Sequence, residues 1–152
     1  MSKSDPIRVM IVDDHALVRS GLGAFLEVYE DLELAGEAED GAKAVELCGQ
    51  LQPDVVLMDI RMPGVDGMDL LPQLVRHLPG TTVIMMSAYG TIDMAVEAMK
   101  LGAYDFLMKP CDIEELVRKV EAATKKKREH EEKIEEAKKQ ETLAKYGPFY
   151  YT

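Results

Sequence analysis

The chain has 152 residues, which is enough for one domain with a buried core and an extension. Its two cysteines exclude a disulfide framework, and no apolar run reaches the length that crosses a membrane, so we expect a cytoplasmic protein without a membrane partner. The formal net charge is −10, and residues 1–111 carry all of it, with 18 acidic against 8 basic side chains. This balance argues against direct binding to nucleic-acid phosphates.

The first part of the chain alternates between strand and helix patterns. Residues 7–12 form an apolar run that is typical of a buried strand. Leu17, Gly21 and Phe25 then recur at helical spacing and predict a helix over about 15–29. A short second strand is predicted at 32–38.

The second helix and the third strand have clear boundary residues. Asp40 can accept a hydrogen bond from an unpaired backbone N–H at the start of a helix, which is predicted over about 41–51. Pro53 prevents this helix from continuing. The next apolar run, 55–58, predicts a third strand that ends at Asp59.

The following segments repeat the alternation. After a loop rich in Pro and Gly, a helix is predicted over about 67–77 and a strand at 82–86. Thr91 and Gly102 are the expected N-cap and C′ residues of the next helix, and a fifth strand is predicted at 104–108. Five such units predict an α/β fold with a doubly wound parallel sheet and right-handed crossovers.

The last helix is predicted to be long. Asp112 followed by Glu115 resembles a capping box, and no helix breaker occurs before Gly147 and Pro148, so the helix would have about 34 residues. Its apolar positions up to Ala123 should pack on the sheet, whereas the heptad seam beyond is polar at three positions. A coiled coil is therefore marginal.

The change from apolar to polar positions after Ala123 predicts that the chain has two parts. Residues 1–123 would form the globular domain, and residues 124–152 a helical C-terminal extension with an aromatic end. That end either docks on a surface or frays in solvent.

Polar residues follow four of the predicted strands. Asp13 and Asp14 follow the first, Asp59 ends the third, Ser87 follows the fourth, and Lys109 follows the fifth. Because the carboxyl ends of parallel strands meet at one edge of a sheet, these side chains should share a shallow pocket. Three carboxylates, a hydroxyl and an ammonium group are suited to holding a divalent cation and a phosphoryl group.

Together these residues resemble the receiver domain of bacterial response regulators, over residues 7–123. The resemblance implies a flavodoxin-like sheet of strand order 2-1-3-4-5 and a function in two-component signal transduction. The matching elements are the acid pair Asp13-Asp14, the segment 58–67 (MDIRMPGVDG), Ser87-Ala88 and Lys109-Pro110.

The resemblance also implies a metal site. Asp14 and Asp59 would bind Mg²⁺ directly, Asp13 would bind it through water, and the backbone carbonyl of Arg61 would be a third protein ligand. Mn²⁺ is the alternative ion. Mg²⁺ prefers oxygen ligands and keeps several waters, which suits such a set. His15 is better explained as a surface residue than as a ligand, because Mg²⁺ disfavours imidazole.

The same resemblance implies that Asp59 is the phosphoacceptor. Lys109, the hydroxyl of Ser87 and the backbone of Ala88 would bind the phosphoryl group, with a cis peptide bond before Pro110. Ser87 and Phe106 would form a switch; Phe106 is equally well explained as a core residue.

Arg61 and Tyr89 lie two residues after Asp59 and Ser87, where relatives tune the hydrolysis of the phosphoryl group. Slow autodephosphorylation is therefore expected. The protein would be a signalling phosphoacceptor that catalyses the transfer of the phosphoryl group to itself, rather than an enzyme. Its donor would be a sensor histidine kinase or a phosphotransfer protein, and the surface formed by residues 91–123 would bind an unknown downstream partner or form a homodimer.

Other classes fit the sequence less well. A phosphatase with an Asp nucleophile usually has a second Asp where Arg61 stands, and a flavodoxin-type cofactor binder would not place acids after its first strand, because they repel phosphate. The intact site argues against a degenerate receiver. The basic residues 125–128 are better explained as a solvated helix face than as a nucleic-acid contact.

The sequence does not determine which type of regulator the domain belongs to. Residues 7–67 resemble receivers that precede helix-turn-helix domains, whereas residues 90–110 resemble those that precede ATPase-type activators. The chain would thus be a stand-alone receiver, a phosphorelay intermediate, or the receiver fragment of a DNA-binding regulator.

Overall fold

A computed structural model describes residues 5–62, 64, 66–88 and 90–146. It contains one parallel five-stranded sheet of order β2-β1-β3-β4-β5. The strands are β1 (Ile7–Val12), β2 (Leu32–Ala38), β3 (Val55–Asp59), β4 (Thr82–Ser87) and β5 (Asp105–Met108). The helices are α1 (Ala16–Val28), α2 (Gly41–Leu51), α3 (Gly67–His77), α4 (Ile92–Lys100) and α5 (Ile113–Tyr146). The predicted α/β fold and strand order are therefore confirmed, and among the described residues no helix is long and apolar enough to span a membrane.

Two hydrophobic cores cover the two faces of the sheet. Alternate strand residues such as Met10 and Met58 pack against α2, α3 and α4 on one face, whereas Ile11 and Leu57 pack against α1 and α5 on the other. The thiol of Cys48 lies in the first core, where burial raises its pKa to about 11, so it serves as apolar packing. The sheet is thus buried on both faces, as a doubly wound fold requires.

The predicted caps are present at the ends of the helices. The Asp40 carboxylate accepts the Lys43 backbone N–H at 2.8 Å, and the Thr91 hydroxyl accepts the Met94 backbone N–H at 3.1 Å. Gly102 follows α4 with φ +110°, a left-handed conformation that glycine adopts without a steric penalty. The turns of this fold are therefore set by local sequence.

The apolar stripe of α1 that predicted the helix faces solvent rather than the core. The side chain of Leu17 is 87% exposed, and Phe25 and Val28 are also exposed. Leu26 and Gly23 are the buried residues of this helix, and Leu22 packs against the same core. Met99, although methionine usually fills a core, is half-exposed on α4.

The first turns of α5 pack on the sheet and the rest projects beyond it. Leu116, Val120 and Ala123 are buried as predicted, whereas residues 129–141 are all exposed. The helix is continuous across the predicted domain boundary between residues 123 and 124, so the division of the chain at that point stays a prediction.

The basic run at residues 125–128 is solvated only in part. Lys125 and Lys126 are exposed as predicted, whereas Lys127 and Arg128 are half-buried and hold α5 against the domain. The Lys127 ammonium donates to the Asp54 carboxylate at 3.0 Å, and the Arg128 guanidinium donates to the Asp5 carbonyl oxygen at 3.0 Å. Lys126 lies over the ring of Tyr104, 5.9 Å from its centre.

We expect Asp54→Asn to lower the free energy of unfolding by about 1–2 kcal/mol near neutral pH, because a charged partner of Lys127 is lost. Burial alone would raise the pKa of Asp54, but the Arg8 backbone N–H and Lys127 outweigh it, so the pKa is lowered. The stabilisation is present above the unfolded-state pKa near 4 and is lost as pH falls through the lower native value.

Denaturant unfolding of the parent and variant at a series of pH values measures this difference. The difference in the free energy of unfolding should be largest above about pH 4 and should disappear in stronger acid. Glu97→Gln, an exposed change on α4, is the matched control. A difference that stays constant down to the acid limit would contradict the assignment.

Candidate functional site

The acid pair lies where β1 ends. Asp13 is fully buried, and its carboxylate accepts both an ion-pair hydrogen bond from the Lys109 ammonium and the His15 backbone N–H at 2.8 Å. Its backbone carbonyl accepts from the Arg19 guanidinium. Asp14 is half-buried and faces the pocket. Asp13 is thus tied to the protein, whereas Asp14 remains at the surface of the pocket.

Asp59 is the last residue of β3 and is 5% exposed. Its carboxylate lies 3.3 Å from the Lys109 ammonium. Gly67, the first residue of α3, lies against this strand end, where its N–H donates to the Ile60 carbonyl at 2.6 Å. A Cβ at Gly67 would collide with the Asp59 carbonyl oxygen and lie 2.9 Å from the Ile60 Cα. Only glycine allows α3 to begin this close to the site.

Ser87 and Lys109 come from the ends of β4 and β5. The Lys109 backbone N–H donates to the Ser87 carbonyl at 2.9 Å, which aligns the two strand ends. The Lys109–Pro110 peptide bond is cis. These side chains surround a pocket of about 420 Å³, lined by Asp14, His15, Val18, Asp59, Arg61, Ser87, Ala88 and Lys109. The structure therefore brings together the residues that the sequence assigned to one site.

The charges of the site shift two protonation equilibria. Burial raises the pKa of Asp59, as does the neighbouring Asp13 charge, and the ammonium of Lys109 and the Arg61 backbone N–H only partly offset these effects. Burial lowers the pKa of Lys109, but the hydrogen bond and charge of Asp13 outweigh it, so the pKa is raised. Lys109 therefore remains an ammonium, and Asp59 lacks full compensation for its charge.

The donor set fits a hard divalent cation. One possible ligand atom from each of Asp13, Asp14, His15 and Asp59 lies within 4.8 Å of the others. The Oδ1 atom of Asp14 is buried and makes no hydrogen bond within the described part of the chain, although the His15 Nδ1 atom lies 3.0 Å away. Clustered carboxylates of which one lacks a donor are what an oxygen-preferring cation such as Mg²⁺ stabilises.

Phe106 lies beside the site on β5 and is half-buried. Gly90 approaches its ring so closely that a Cβ at Gly90 would lie 2.7 Å from the ring atoms and from the Met108 sulfur. Asp105 accepts the Phe106 backbone N–H at 2.7 Å and the Lys119 ammonium of α5 at 2.8 Å. The aromatic residue is thus connected to both the loop after β4 and the last helix.

Sequence reasoning missed several residues of the site. Gly67 and Gly90 act through close approach between distant segments, which leaves no signal in the local pattern. His15 is a surface residue as predicted, with its side chain 67% exposed, but it also touches both acids of the pair. Tyr89, assigned to hydrolysis tuning, lies outside the described residues.

Comparisons with known proteins agree with this geometry. The family model of the response regulator receiver domain matches residues 9–121. The transcriptional regulatory protein LiaR of Bacillus subtilis (strain 168) is 38% identical over 128 residues, which are 84% of this chain and 61% of LiaR. The chain spans about half the length of three further curated relatives that it matches.

Solved structures show the same likeness. The signal receiver domain of the response regulator NarL from Mycobacterium tuberculosis is 36% identical, with a TM-score of 0.75, and the match covers 80% of this chain and 98% of that one. CheY in the CheX–CheY–BeF3–Mg complex of Borrelia burgdorferi is 29% identical, with a TM-score of 0.73 over 78% of this chain and 89% of that one. With this fold and this strand-end pocket, the chain belongs to the family of response regulator receiver domains.

Proposed function

We propose that Asp59 accepts a phosphoryl group from a phosphohistidine and that the phosphorylated domain signals to a protein partner. The observation that carries this proposal is the Asp59 carboxylate at the wall of the pocket, 3.3 Å from the Lys109 ammonium and beside two further acids. A carboxylate oxygen there has an open approach and a cation to neutralise incoming charge.

Asp14 and Asp59 would hold a Mg²⁺ or Mn²⁺ ion directly, Asp13 through water, and Arg61 through its backbone carbonyl. The buried Asp14 oxygen without a hydrogen bond supports this assignment. When bound, the ion neutralises phosphoryl oxygens and carboxylates. Asp13 is engaged by Lys109 and the His15 backbone, which suits an indirect role.

The transfer itself needs little beyond position and charge. A carboxylate oxygen of Asp59 bonds to phosphorus as the P–N bond of the donor breaks, and the leaving imidazole keeps the electron pair and takes a proton from solvent. Lys109, the Ser87 hydroxyl and the Ala88 backbone N–H would bind the phosphoryl oxygens. Arg61 and Tyr89 would slow the attack of water on the product.

The donor would be a sensor histidine kinase or a phosphotransfer protein that covers α1. This helix begins one residue after His15, at the rim of the pocket, and exposes Leu17, Phe25 and Val28. A donor histidine must approach Asp59 to about 3–3.5 Å, so its own helix would lie over this neighbouring apolar surface.

The output surface would be the one formed by residues 91–123. Ser87 would move toward the bound phosphoryl group and Phe106 would turn inward, which alters the surface next to Gly90 and α4. This surface already exposes apolar side chains in a row along α4: Ile92, 83% exposed, then Val96 and Met99. A partner or a second copy would recognise the change through differential affinity.

Two wider assignments accompany this function. The domain would work in the cytoplasm, either alone, as a phosphorelay intermediate, or as the receiver part of a longer regulator. The DNA-binding regulator gains support from the name of LiaR, a transcriptional regulatory protein of which this chain matches 61%.

We expect Asp59→Asn to abolish phosphoryl uptake from acetyl phosphate and Mg²⁺, because no other nucleophile of the described pocket is a carboxylate facing Lys109. Intact mass before and after incubation measures the gain of one phosphoryl group. Asp93→Asn, at the start of α4 and away from the pocket, is the matched control. Normal uptake by the Asp59 variant would refute the assignment.

Asp14→Asn should have opposite effects with and without metal. Without Mg²⁺ the variant should be more stable by about 1 kcal/mol, because one negative charge is removed from a cluster of three carboxylates. With Mg²⁺ the stabilisation seen in the parent should disappear. Thermal unfolding of parent and variant, with and without the ion, measures both effects. Equal stabilisation of parent and variant by Mg²⁺ would show that Asp14 is not a ligand.

Lys109→Ala should still accept a phosphoryl group, more slowly, but should fail to transmit it. Lys109 connects Asp13 and Asp59 to the end of β5, so its loss separates the charge change from Ser87 and Phe106. Backbone NMR shifts of residues 87–106 with a phosphoryl mimic measure transmission, with Lys100→Ala as control. Shifts equal to those of the parent would disprove this role.

Phosphorylation should increase self-association through the surface of residues 91–123. The paired change Ile92→Ser with Val96→Ser should remove this increase, because it takes apolar area from the exposed row on α4. Sedimentation with and without a phosphoryl mimic is the measurement, and Val45→Ser on α2 is the control. An average mass that does not change with the mimic would rule out the homodimer. Binding to a different protein would then be the role of this surface.

A further inference from the structure

His15 brings a nitrogen ligand atom to the acid cluster of the pocket. Its Nδ1 atom lies 3.0 Å from the Oδ1 atom of Asp14 and 3.2 Å from the Oδ1 atom of Asp13. With Asp59, these residues form a group in which one ligand atom of each lies within 4.8 Å of the others. The ligand atoms that this pocket offers to a metal ion are therefore not oxygen alone.

The His15 ring lies on carboxylate oxygens that the lysine of the site does not occupy. The Lys109 ammonium contacts the Oδ2 atoms of Asp13 and Asp59. The His15 ring instead contacts the Oδ1 atoms of Asp13 and Asp14. An ion that binds these Oδ1 atoms therefore meets the imidazole and does not need to displace the ammonium of Lys109.

The distances between these atoms are those of ligands that share one ion. Around an ion with bonds of ~2.0–2.1 Å, neighbouring ligand atoms lie about 2.8–3.4 Å apart, from octahedral to tetrahedral angles. The two Nδ1–Oδ1 distances of 3.0 and 3.2 Å fall in this range. Because the whole group spans up to 4.8 Å, contact with all four residues requires its most distant atoms to close by roughly 1–1.5 Å.

The position of His15 in the chain allows such a movement. It is the residue before α1, its side chain is 67% exposed, and that side chain makes no capping hydrogen bond to the helix. The contact that orders Asp13 comes from the backbone N–H of His15, which donates to the Asp13 carboxylate at 2.8 Å. The ring can therefore turn toward an ion, or be replaced, while the backbone contact with Asp13 remains.

An imidazole beside three carboxylates changes which ions the pocket prefers. Mg²⁺ prefers oxygen ligands and keeps several waters, so it gains little from a nitrogen atom. Zn²⁺ and Co²⁺ accept both imidazole nitrogen and carboxylate oxygen. The same residues that suit Mg²⁺ through oxygen therefore suit these transition ions through oxygen and nitrogen together.

We propose that His15 is a ligand for a transition ion such as Zn²⁺, which binds to His15 and the three acids of the pocket and competes there with Mg²⁺. A Zn²⁺ ion with four protein ligands has no open position, whereas phosphoryl transfer needs a position for a phosphoryl oxygen. Zn²⁺ therefore inhibits phosphoryl uptake. This last consequence rests on the proposed function of Asp59, whereas the binding of the ion does not.

Isothermal titration calorimetry with Zn²⁺, Co²⁺ and Mg²⁺, each alone, measures the preference. The full chain carries no histidine tag and has Cys111→Ser, because the half-buried thiol is a soft ligand. His15→Asn should weaken the binding of Zn²⁺ and Co²⁺ about tenfold or more and that of Mg²⁺ less than about twofold. Asn is a favoured residue before a helix, so the variant should fold.

His130→Asn, the same substitution at an exposed position of α5, is the matched control and should change none of the three affinities. Unchanged binding of Zn²⁺ and Co²⁺ to His15→Asn would overturn the proposal. Equal weakening of Mg²⁺ binding would overturn it too, because the ring would then act on the acids rather than as a nitrogen ligand.

The visible absorption of bound Co²⁺ tests for the nitrogen ligand directly. A four-coordinate Co²⁺ ion absorbs more strongly than the six-coordinate aqueous ion, and a nitrogen ligand shifts its bands. The chain with His15 should give an intense spectrum that one equivalent of Zn²⁺ removes, and His15→Asn should weaken and shift it. Identical spectra for the two chains would show that His15 is not a ligand.

Phosphoryl uptake from acetyl phosphate separates this inference from the function of Asp59. The quantity compared is the ratio of uptake with Mg²⁺ plus one equivalent of Zn²⁺ to uptake with Mg²⁺ alone. This ratio should be about tenfold lower with His15 present than in His15→Asn. No uptake with Mg²⁺ alone would refute the function of Asp59, and calorimetry and Co²⁺ absorption would still decide the role of His15. Equal ratios in the two chains would overturn the competition between the ions.

Discussion

The structure depends on one buried arrangement of charges at the carboxyl edge of the sheet. The Lys109 ammonium bridges Asp13 of β1 and Asp59 of β3, and its backbone N–H holds the end of β4 through Ser87. One lysine therefore connects four of the five strands at the position where three carboxylates meet. Because one ammonium cannot balance three carboxylates, the edge retains negative charge in a partly dry pocket, which a divalent cation would offset.

This imbalance explains why the site suits a reversible charge change. Burial and the Asp13 charge raise the pKa of Asp59, and Lys109 offsets this only in part, so the negative charge of Asp59 is incompletely compensated in the folded domain. A phosphoryl group on that oxygen changes the charge that Lys109 must balance. Lys109, Ser87 and Phe106 lie on two adjacent strand ends, next to the loop in which Gly90 packs against the Phe106 ring.

Most of the fold could be predicted from the sequence, because strands and helix ends are determined by residues close together in the chain. Apolar runs defined the strands, and Asp40 and Thr91 capped their helices through contacts three residues away. The strand-end residues were also predictable, because a parallel sheet gathers them wherever its strands lie. The match of the family model over residues 9–121 and the likeness to solved receiver domains confirm the predicted family and fold.

The errors arose where the answer depended on distant parts of the chain. In α1, the rows Leu17–Gly21–Phe25 and Leu22–Leu26 have the same period, and only tertiary packing decides that the second one is buried. The contacts of Lys127 and Arg128 were not predicted, because their partners, Asp54 and Asp5, lie far away in sequence. Gly67 and Gly90 gave no signal, because their role is to leave space for another segment.

The two ends of the domain are connected mechanically through α5. Lys119 fixes the helix to Asp105 on β5, beside Phe106, and Lys127 fixes it to Asp54 at the opposite edge of the sheet. These two ion pairs lie eight residues apart, or about 12 Å along the axis. A displacement of β5 that moved the first contact while the second held would tilt the helix. With the pivot at Lys127, the displacement would be about twice as large at Tyr146 as at Lys119, because the ~28 Å beyond Lys127 exceed the ~12 Å between the two ion pairs.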